Sequence, residues 1–337
     1  MKKILITGGA GYIGSHTAVE LVNSGFEPII IDDLSNSNED VLKRLEEITG
    51  KKLAFYKGDC SDRELLEKIA TDHVLSGVIH FAAFKAVGES TQLPLKYYHN
   101  NVGSLVILLQ FMKDKAIQDL VFSSSCTVYG QADELPVTEE TPRKDAESPY
   151  GNTKKICEDI LKDFVVSKPG IRVISLRYFN PIGAHPSAKI GELPSGVPNN
   201  LVPFVTQVAA GKREKVTIFG DDYDTIDGTC VRDYIHVVDL ADAHVKAFAF
   251  LEKQSVDSYE VFNVGTGNGN SVLEVIQTFE KVNGLKLNYQ IGPRRSGDVV
   301  KIWADTQKIN NVLGWHPKFS LEDSLRDSWN WEKGLRK

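Results

Sequence analysis

Short apolar runs alternate with longer amphipathic stretches along the first half of the chain. The runs are rich in β-branched residues, as strands are, and the stretches between them carry apolar residues at helical spacing. This alternation is typical of an α/β fold, a doubly wound parallel (Rossmann) sheet covered by helices. The predicted strands are Lys3–Thr7, Pro28–Asp32, Leu53–Tyr56, Val78–Phe81, Leu120–Ser123 and Val173–Leu176, and the predicted helices include Ser15–Ser24, Arg63–Asp72 and Leu95–Asp114.

The pattern changes after about residue 180. Prolines and glycines become frequent between Pro181 and Gly211, which indicates a long, turn-rich region. We therefore predict a first domain over residues 1–180 and a smaller, irregular α/β lobe over residues 181–337. We also expect part of the second segment to return to the first domain.

Composition and charge narrow the function classes. The 337 residues carry a net charge of −6 without a block of Lys or Arg, so neither a nucleic acid nor a membrane surface is expected as a partner. The longest stretch without charged residues, Tyr97–Met112, is shorter than a membrane span. The four cysteines form no CxxC pair and the start resembles no leader, which predicts a cytoplasmic protein. The histidines show no metal-binding spacing, so no metal is expected.

A glycine turn follows the first predicted strand. Gly8, Gly11 and Gly14 lie where a strand passes into a helix, and such a turn lets backbone N–H groups approach a pyrophosphate. The next strand ends in Asp32 and Asp33, whose carboxylates suit the ribose of NAD and repel the 2′-phosphate of NADP. The alternative for this acidic pair is a solvated loop or a helix cap before Ser35.

A tyrosine and a lysine share one face of a later helix. Tyr150 and Lys154 are four positions apart, just after a Ser-Pro helix start, whereas Lys155 points elsewhere. Tyrosine acts as a base near neutral pH only if its pKa falls by about 3 units. We expect the Lys154 ammonium, the helix N-terminus and the positive nicotinamide ring to favour the anion. Ser125 follows a buried strand and would hold a substrate oxygen beside Tyr150. The alternatives are a surface Tyr and Lys on an amphipathic helix, and a turn at the serines.

A second glycine group, Gly265–Gly269, also lies between a predicted strand and a helix. We interpret it as a tight strand-to-helix turn, and a second nucleotide loop is the alternative.

Together these motifs resemble the extended short-chain dehydrogenase/reductases. More narrowly, the chain is similar to the UDP-glucose 4-epimerase family over residues 2 to about 330. The stretches that carry this resemblance are Thr7–His16, His80–Ser90, Leu176–Pro186, Pro198–Leu201, Val231–Val237 and Arg294–Asp298.

The resemblance implies tightly bound NAD, a UDP-hexose substrate that is inverted at C4 through a transient 4-keto sugar, and a homodimer. It implies three catalytic residues, Tyr150, Lys154 and Ser125. The implied cofactor residues are Gly8, Gly11, Tyr12, Ile13, Gly14, Asp32, Asp33, Asn36, Ser37, Asp59, Cys60, Phe81, Ala82, Lys85, Asn100, Ser125, Tyr150, Lys154 and Phe179. The implied substrate residues are Ser125, Tyr150, Asn180, Asn200, Leu201, Thr217, Phe219, Arg232, Arg295, Asp298 and Ile302.

Three alternatives remain open at this point. Ile302 stands where the family has tyrosine or a smaller residue, so an N-acetylhexosamine substrate or dual specificity is the first alternative. A nucleotide-sugar dehydratase needs an acidic pair after the catalytic hydroxyl residue, and the chain has Cys126, Thr127 and Val128 there. A dinucleotide-sensing regulator would not need Tyr150, Lys154 and Ser125 together.

Overall fold

The computed structural model describes residues 1–295 and 298–335. The chain divides into two compact units, each built from separate stretches. Unit 1 comprises Met1–Gly130, Arg143–Tyr178 and Ala241–Phe262, and unit 2 comprises Gln131–Pro142, Phe179–Leu240 and Asn263–Lys337. The predicted first domain ended at residue 180, and it included 131–142, a segment that belongs to unit 2.

Strands and helices alternate along most of the first part of the chain, and they follow one another less regularly in the second part. The first part contains β1 (Lys3–Thr7), α1 (Tyr12–Asn23), β2 (Glu27–Asp32), α2 (Asp40–Thr49), β3 (Ala54–Lys57), α3 (Arg63–Asp72), β4 (Leu75–His80), α4 (Val87–Gln92), α5 (Pro94–Tyr97), α6 (Gly103–Asp114), β5 (Asp119–Ser123), α7 (Pro149–Val166) and β6 (Arg172–Tyr178). The second part contains β7 (Asn180–Ile182), α8 (Leu201–Ala209), β8 (Val216–Phe219), β9 (Val231–Arg232), β10 (Tyr234–His236), α9 (Val237–Leu251), β11 (Ser258–Val264), β12 (Asn270–Ser271), α10 (Val272–Asn283), β13 (Tyr289–Gly292), β14 (Lys301–Ile302), α11 (Gln307–Leu313) and α12 (Leu321–Gly334).

A parallel sheet is the centre of unit 1. Among the described residues it has seven strands in the order β11-β6-β5-β4-β1-β2-β3. The chain moves from β1 outward to β3 on one side and from β4 outward to β6 on the other, so the order reverses between β1 and β4. The predicted α/β, doubly wound fold is confirmed. Ligands of such sheets bind beyond the carboxyl ends of the strands at this reversal point.

The core of unit 1 lies between this sheet and its helices. Leu5, Ile29 and Val78 from the strands pack with Leu105 and Leu108 from α6. Each of these side chains is fully buried, and burial of one such side chain contributes roughly 1.5–3 kcal/mol. The packed layer fixes the strand ends that carry the functional side chains.

The predicted helix Leu95–Asp114 is interrupted. The structure forms α5 over Pro94–Tyr97, a π-helical turn over Tyr98–Val102 and then α6 from Gly103. Such turns are frequent at functional sites, and this one carries Asn100. Buried Asn101 explains part of the irregularity, because its amide donates to the Phe84 carbonyl and to the Thr153 hydroxyl, both at 3.0 Å.

Unit 2 has a core of its own and three small sheets among its described residues. The sheets pair β10 with β7, β13 with β8, and β9 with both β12 and β14. Val205, Val275, Ile276, Phe279 and Leu325 fill the space between α8, α10 and α12.

Within residues 1–295 and 298–335, no helix is both long enough and apolar enough to cross a bilayer.

Candidate functional site

The glycine turn after β1 is tightly packed. Gly8 has a positive φ of 69°, and a Cβ there would lie 3.0 Å from the Ala82 nitrogen. A Cβ on Gly14 would lie only 2.3 Å from the Gly8 carbonyl oxygen, so glycine is required for α1 to approach β1 this closely. Gly11 is the N-cap of α1 and offers no side chain to the amide groups of the first turn. This arrangement can hold a pyrophosphate.

Asp32 joins the glycine turn to the loop after β2. Its carboxylate is buried and accepts from the Ala10 amide at 3.0 Å, the Leu34 amide at 2.9 Å and the Ser37 hydroxyl at 2.8 Å. Asp33 is exposed, and its carboxylate accepts from both the amide and the hydroxyl of Ser35. Asp33 therefore has the geometry of a solvated loop, one of the alternatives for this pair, because α2 begins only at Asp40.

Other predicted cofactor residues surround the same strand ends. The Lys85 ammonium lies 6.0 Å from the centre of the Tyr12 ring. Burial and the carboxylates of Asp59, Asp33 and Asp32 raise the pKa of the Cys60 thiol to about 12. The Asp59 carboxylate accepts from the Ser61 amide, and Asn36 is exposed. Phe81 directly precedes Ala82 against the glycine turn, whereas Ile13 lies in the first turn of α1.

Two predicted cofactor residues lie elsewhere. In the π-helical turn, the Asn100 side-chain nitrogen Nδ2 donates to the Asn101 side-chain oxygen Oδ1 at 3.0 Å. Phe179 belongs to unit 2, where it is buried and its amide donates to the Val264 carbonyl at 3.2 Å.

The predicted catalytic hydroxyls meet in unit 1. Ser125 follows β5 and begins the 3-10 turn Cys126–Tyr129, and Tyr150 lies in the first turn of α7, which Ser148 caps. Both residues are buried, and the Ser125 hydroxyl lies near enough to the Tyr150 phenol to lower its pKa. Ser125 and Tyr150 can therefore act on one substrate oxygen.

Lys154 lies beneath this pair on the same face of α7. Its ammonium donates to the Ser123 carbonyl at 2.7 Å and lies 5.0 Å from the centre of the Phe122 ring. Burial lowers the pKa of Lys154 to about 8. Lys154 is thus poised to change its charge at moderately alkaline pH.

Without the cofactor ring, the surroundings of Tyr150 do not lower its pKa. Burial raises the pKa of Tyr150 above its usual value, the neighbouring Tyr178 raises it further, and the Ser125 hydroxyl lowers it only in part. The phenol is fully desolvated, and the Lys154 ammonium is hydrogen-bonded to a backbone carbonyl rather than placed at the phenol oxygen. The isolated protein therefore keeps Tyr150 neutral.

The predicted diphosphate residues meet in unit 2. The Asp298 carboxylate accepts from the Arg295 Nη2 at 2.7 Å and lies 3.8 Å from the Arg232 Nη2. One carboxylate therefore holds two guanidinium groups close together, in a geometry that suits a dianionic ligand. The Arg295 guanidinium also lies 5.7 Å from the centre of the Phe219 ring.

The remaining predicted substrate residues lie at several places in unit 2. The Asn180 amide donates to the Asp233 carbonyl at 2.9 Å. The Asn200 side chain donates to Glu192 at 2.8 Å, just before Leu201 begins α8. The Thr217 hydroxyl lies in β8, two residues before Phe219, and accepts from Gln290.

Ile302 is buried in β14, and β14 pairs with β9 so that Ile302 lies opposite Arg232. The predicted gate and a predicted diphosphate residue are thus neighbours in one small sheet.

The second glycine group closes on a buried carboxylate. Asp233 accepts from the Thr266 amide, the Thr266 hydroxyl, the Gly267 amide and the Ala304 amide at 2.7–3.2 Å. The Asp233 carboxylate thus occupies the position where an external anion would accept from these donors. The predicted tight turn fits this geometry, and the alternative of a second nucleotide loop does not.

Comparison with known proteins identifies the family. The profile of the GDP-mannose 4,6 dehydratase family matches residues 5–328. The UDP-glucose 4-epimerase of Bacillus subtilis is 52% identical over 330 residues, which is 98% of this chain and 96% of that protein.

The chain belongs to the UDP-glucose 4-epimerase family. The predicted resemblance is therefore confirmed.

Two crystal structures are closely similar. The UDP-glucose 4-epimerase of Stenotrophomonas maltophila, solved with NAD and formylated UDP-arabinopyranose, has a TM-score of 0.97 at 46% identity and covers 100% of this chain and 99% of its own. The enzyme of Bifidobacterium longum, in complex with NAD+ and UDP, has a TM-score of 0.96 at 46% identity and covers 99% of both chains.

Dehydratase chemistry lacks its acid in this chain. The segment after Ser125 forms a 3-10 turn of Cys126, Thr127, Val128 and Tyr129, which contains no carboxylic acid. The description of the matching profile therefore names the wider group rather than a reaction that these residues are equipped to perform.

Sequence reasoning missed several polar residues around the catalytic groups. The Tyr178 hydroxyl lies 2.7 Å from that of Ser123, and the His80 imidazole lies 2.7 Å from the Thr7 hydroxyl. Burial lowers the pKa of His80 to about 3, so this imidazole is neutral. The available signal was position, since His80 ends β4 and Tyr178 ends β6 at the edge where ligands bind.

Within the part of the chain that the structure describes, no group of three His, Cys, Asp or Glu side chains is placed to hold a metal ion.

Proposed function

We propose that this chain interconverts UDP-galactose and UDP-glucose by inverting C4 of the hexose, with NAD as a bound cofactor. The observation that carries the proposal is the buried pair of Ser125 and Tyr150 beside Lys154, which shares the α7 face of Tyr150. It occurs in a chain 52% identical to a UDP-glucose 4-epimerase.

The cofactor site fits NAD on two observations. The turn at Gly8 and Gly14 has no room for side chains and presents the start of α1, which suits a pyrophosphate. Asp32 places a carboxylate at the end of β2, where a ribose hydroxyl can donate to it. Bound NAD supplies the acceptor for the C4 hydride and the donor that returns it to the opposite face of the sugar.

The proton of the sugar 4-hydroxyl is handled by the protein. Tyr150 Oη takes this proton as the hydride leaves C4 and gives it back when the hydride returns, while Ser125 Oγ holds the same sugar oxygen. Because burial raises the Tyr150 pKa, the anion needs the positive charge of Lys154 and of the cofactor ring.

The UDP group supplies the anchoring interactions. Arg232 and Arg295 bind the diphosphate through paired N–H donors, and Asp298 orients the two guanidinium groups or accepts from a ribose hydroxyl. Asn180, Asn200, Leu201, Thr217 and Phe219 complete the proposed UDP-sugar site. Binding energy concentrated on the nucleotide leaves the hexose free to turn over between the two hydride transfers.

Sugar selectivity is assigned to Ile302. Isoleucine is smaller than tyrosine and leaves more space, so UDP-N-acetylglucosamine is proposed as the alternative substrate, after UDP-galactose and UDP-glucose. Its place opposite Arg232 in the β9–β14 pair supports a contact near the diphosphate end of the hexose.

A homodimer through α6 and α7 completes the proposal. Val106 on α6 and Val166 on α7 are exposed apolar residues. The family resemblance implies that these two helices pack against the same helices of a second subunit. A sedimentation mass of two chains at micromolar concentration is expected, and a mass of one chain would remove the dimer. Free, buried cysteines at 60, 126, 157 and 230 support a cytoplasmic location.

The direct test is turnover by purified protein. Without added cofactor, the protein should convert UDP-galactose to UDP-glucose because NAD stays bound through purification. Absence of conversion even with added NAD would contradict the proposed function.

A further inference from the structure

A buried ion pair lies behind the catalytic residues of unit 1. Glu158 on α7 is 1% exposed and Arg177 on β6 is 5% exposed. The Arg177 guanidinium donates to the Glu158 carboxylate from Nε at 2.9 Å and from Nη2 at 2.7 Å. Neither residue belongs to the predicted catalytic, cofactor or substrate residues.

This ion pair is attached to both ends of the segment that carries Ser125. The Ser124 hydroxyl donates to the Glu158 carboxylate at 2.6 Å, directly before Ser125. The Arg177 Nη1 donates to the Tyr129 hydroxyl at 3.0 Å, where the 3-10 turn that follows Ser125 ends. Glu158 therefore fixes the start of the segment, and Arg177 fixes its end.

The same carboxylate is part of the helix that carries the catalytic pair. Glu158 lies four residues after Lys154 and eight after Tyr150, so all three side chains lie on one face of α7. Ser125 and Tyr150 lie on different elements, yet the Ser125 hydroxyl is near enough to the Tyr150 phenol to lower its pKa. We infer that Glu158, paired with Arg177, is a positioning residue that holds the Ser125 segment in register with the α7 face of Tyr150 and Lys154.

Stability alone does not account for such a pair. Desolvation of two charges offsets much of their attraction, and apolar replacements of buried pairs are often neutral for stability. A fixed geometry is what the pair provides, through donors and acceptors that apolar side chains lack. The inference rests on the proposed function, because it assigns Glu158 a part in the same reaction.

Glu158 also acts on Lys154 through its charge. Burial lowers the pKa of Lys154, whereas Cys157 and the Glu158 carboxylate raise it. The Glu158 carboxylate also faces the Arg143 guanidinium, at 3.4 Å. Loss of the carboxylate therefore lowers the Lys154 pKa, and the ammonium is lost at a lower pH. A purely structural residue would not move this pH limit.

The chain offers a matched control on the same two strands. Asp119 begins β5 and Arg172 begins β6, and their side chains form a second ion pair, with the Arg172 Nε at 2.6 Å from the carboxylate. Both residues lie at the amino ends of strands whose carboxyl ends carry Ser123 and Tyr178. Asp119→Asn perturbs an ion pair of the same kind away from the catalytic edge.

The experiment compares Glu158→Gln and Asp119→Asn as purified holoenzymes. In Glu158→Gln we expect kcat for UDP-galactose to fall by about tenfold to a hundredfold, the effect of a misplacement near 1 Å, with KM unchanged. The alkaline limit of kcat should also move to lower pH. Asp119→Asn should lose thermal stability while kcat and its pH profile stay as in the wild type.

A second variant covers the case in which Glu158→Gln does not fold. The double variant Glu158→Leu with Arg177→Met removes both charges, so it leaves no unpaired buried charge. Its crystal structure should show the Ser125 and Tyr150 hydroxyl groups farther apart than in a wild-type crystal structure, while the sheet is intact.

An unchanged distance between these two hydroxyl groups, or a Glu158→Gln enzyme with wild-type kcat and pH profile, would overturn the inference. An inactive wild-type protein would instead contradict the proposed function, and the crystal structure of the double variant would still test the positioning role.

Discussion

The two units contain the same types of polar side chain, but these side chains are exposed to different extents. In unit 1, Tyr150, Lys154 and Ser125 are 8%, 3% and 6% exposed, and their neighbours hold each in one position. In unit 2, the Arg295 side chain is 52% exposed and the Arg232 side chain is 15% exposed. Proton transfer needs tuned pKa values and fixed distances, which burial supplies, whereas recognition of a charged ligand needs accessible donors.

Buried carboxylates organise both units. Glu158 accepts from Arg177 and Ser124 in unit 1, and Asp233 accepts from Thr266, Gly267 and Ala304 in unit 2. Burial raises the pKa of Asp233, while the hydrogen bonds that it accepts lower that pKa. Asp298, whose side chain is 14% exposed, instead holds the two guanidinium groups that are proposed to bind the diphosphate.

The largest expected effect is the loss of the buried phenol. Tyr150→Phe should reduce kcat by about two to four orders of magnitude, the usual contribution of general acid–base catalysis. The measurement is steady-state kinetics with UDP-galactose. Tyr56→Phe is the control, because the Tyr56 hydroxyl donates to Asp72 on the surface, and its kcat should stay at the wild-type value. Near-normal activity of Tyr150→Phe would show that another group moves the proton.

The next prediction removes a positive charge from the proposed diphosphate site of unit 2, which should weaken substrate binding. Arg295→Ala should raise KM about tenfold to a hundredfold and leave kcat near the wild-type value, since hydrogen bonds between charged groups contribute about 1.5–3 kcal/mol. Kinetics over a range of UDP-galactose concentrations separates the two constants. Arg294→Ala is the matched control, because Arg294 pairs with exposed Asp222. If kcat falls instead of KM rising, the division between the two regions is wrong.

The pH dependence of turnover follows from Lys154. Its pKa is lowered to about 8 by burial, so the ammonium is present below that pH and lost above it. We expect kcat to fall as pH rises through this range, because the neutral amine no longer stabilises the Tyr150 anion. A pH profile of kcat at saturating substrate measures this limit. A level profile through the same range would exclude a role for the Lys154 charge.

The smallest expected effect concerns the choice of sugar. Ile302→Tyr should lower the ratio of kcat/KM for UDP-N-acetylglucosamine over UDP-glucose, because the larger ring takes the space of the N-acetyl group. One misfitted group in a pocket changes such a ratio by roughly 10–200-fold. Competition between the two sugars measures it directly. An unchanged ratio would remove Ile302 as the gate.

Local patterns in the sequence predicted the features that depend on short spacings. The glycine turn and the Tyr150–Lys154 pair each lie within one element, so strand and helix periods place them. The bond between Ser124 and Glu158 joins residues 34 positions apart, and no periodic pattern reports such a contact. The interruption of the predicted helix Leu95–Asp114 likewise arises from the buried Asn101 and its partners on other elements.

The central claim is inversion at C4 by a hydride that leaves and returns to the same carbon. The most direct measurement follows UDP-galactose that carries deuterium at C4, incubated with the purified protein and analysed by mass spectrometry and NMR. The account predicts UDP-glucose with the deuterium retained at C4. A product lighter by one water, or UDP-glucose whose C4 deuterium has exchanged with solvent, would contradict it.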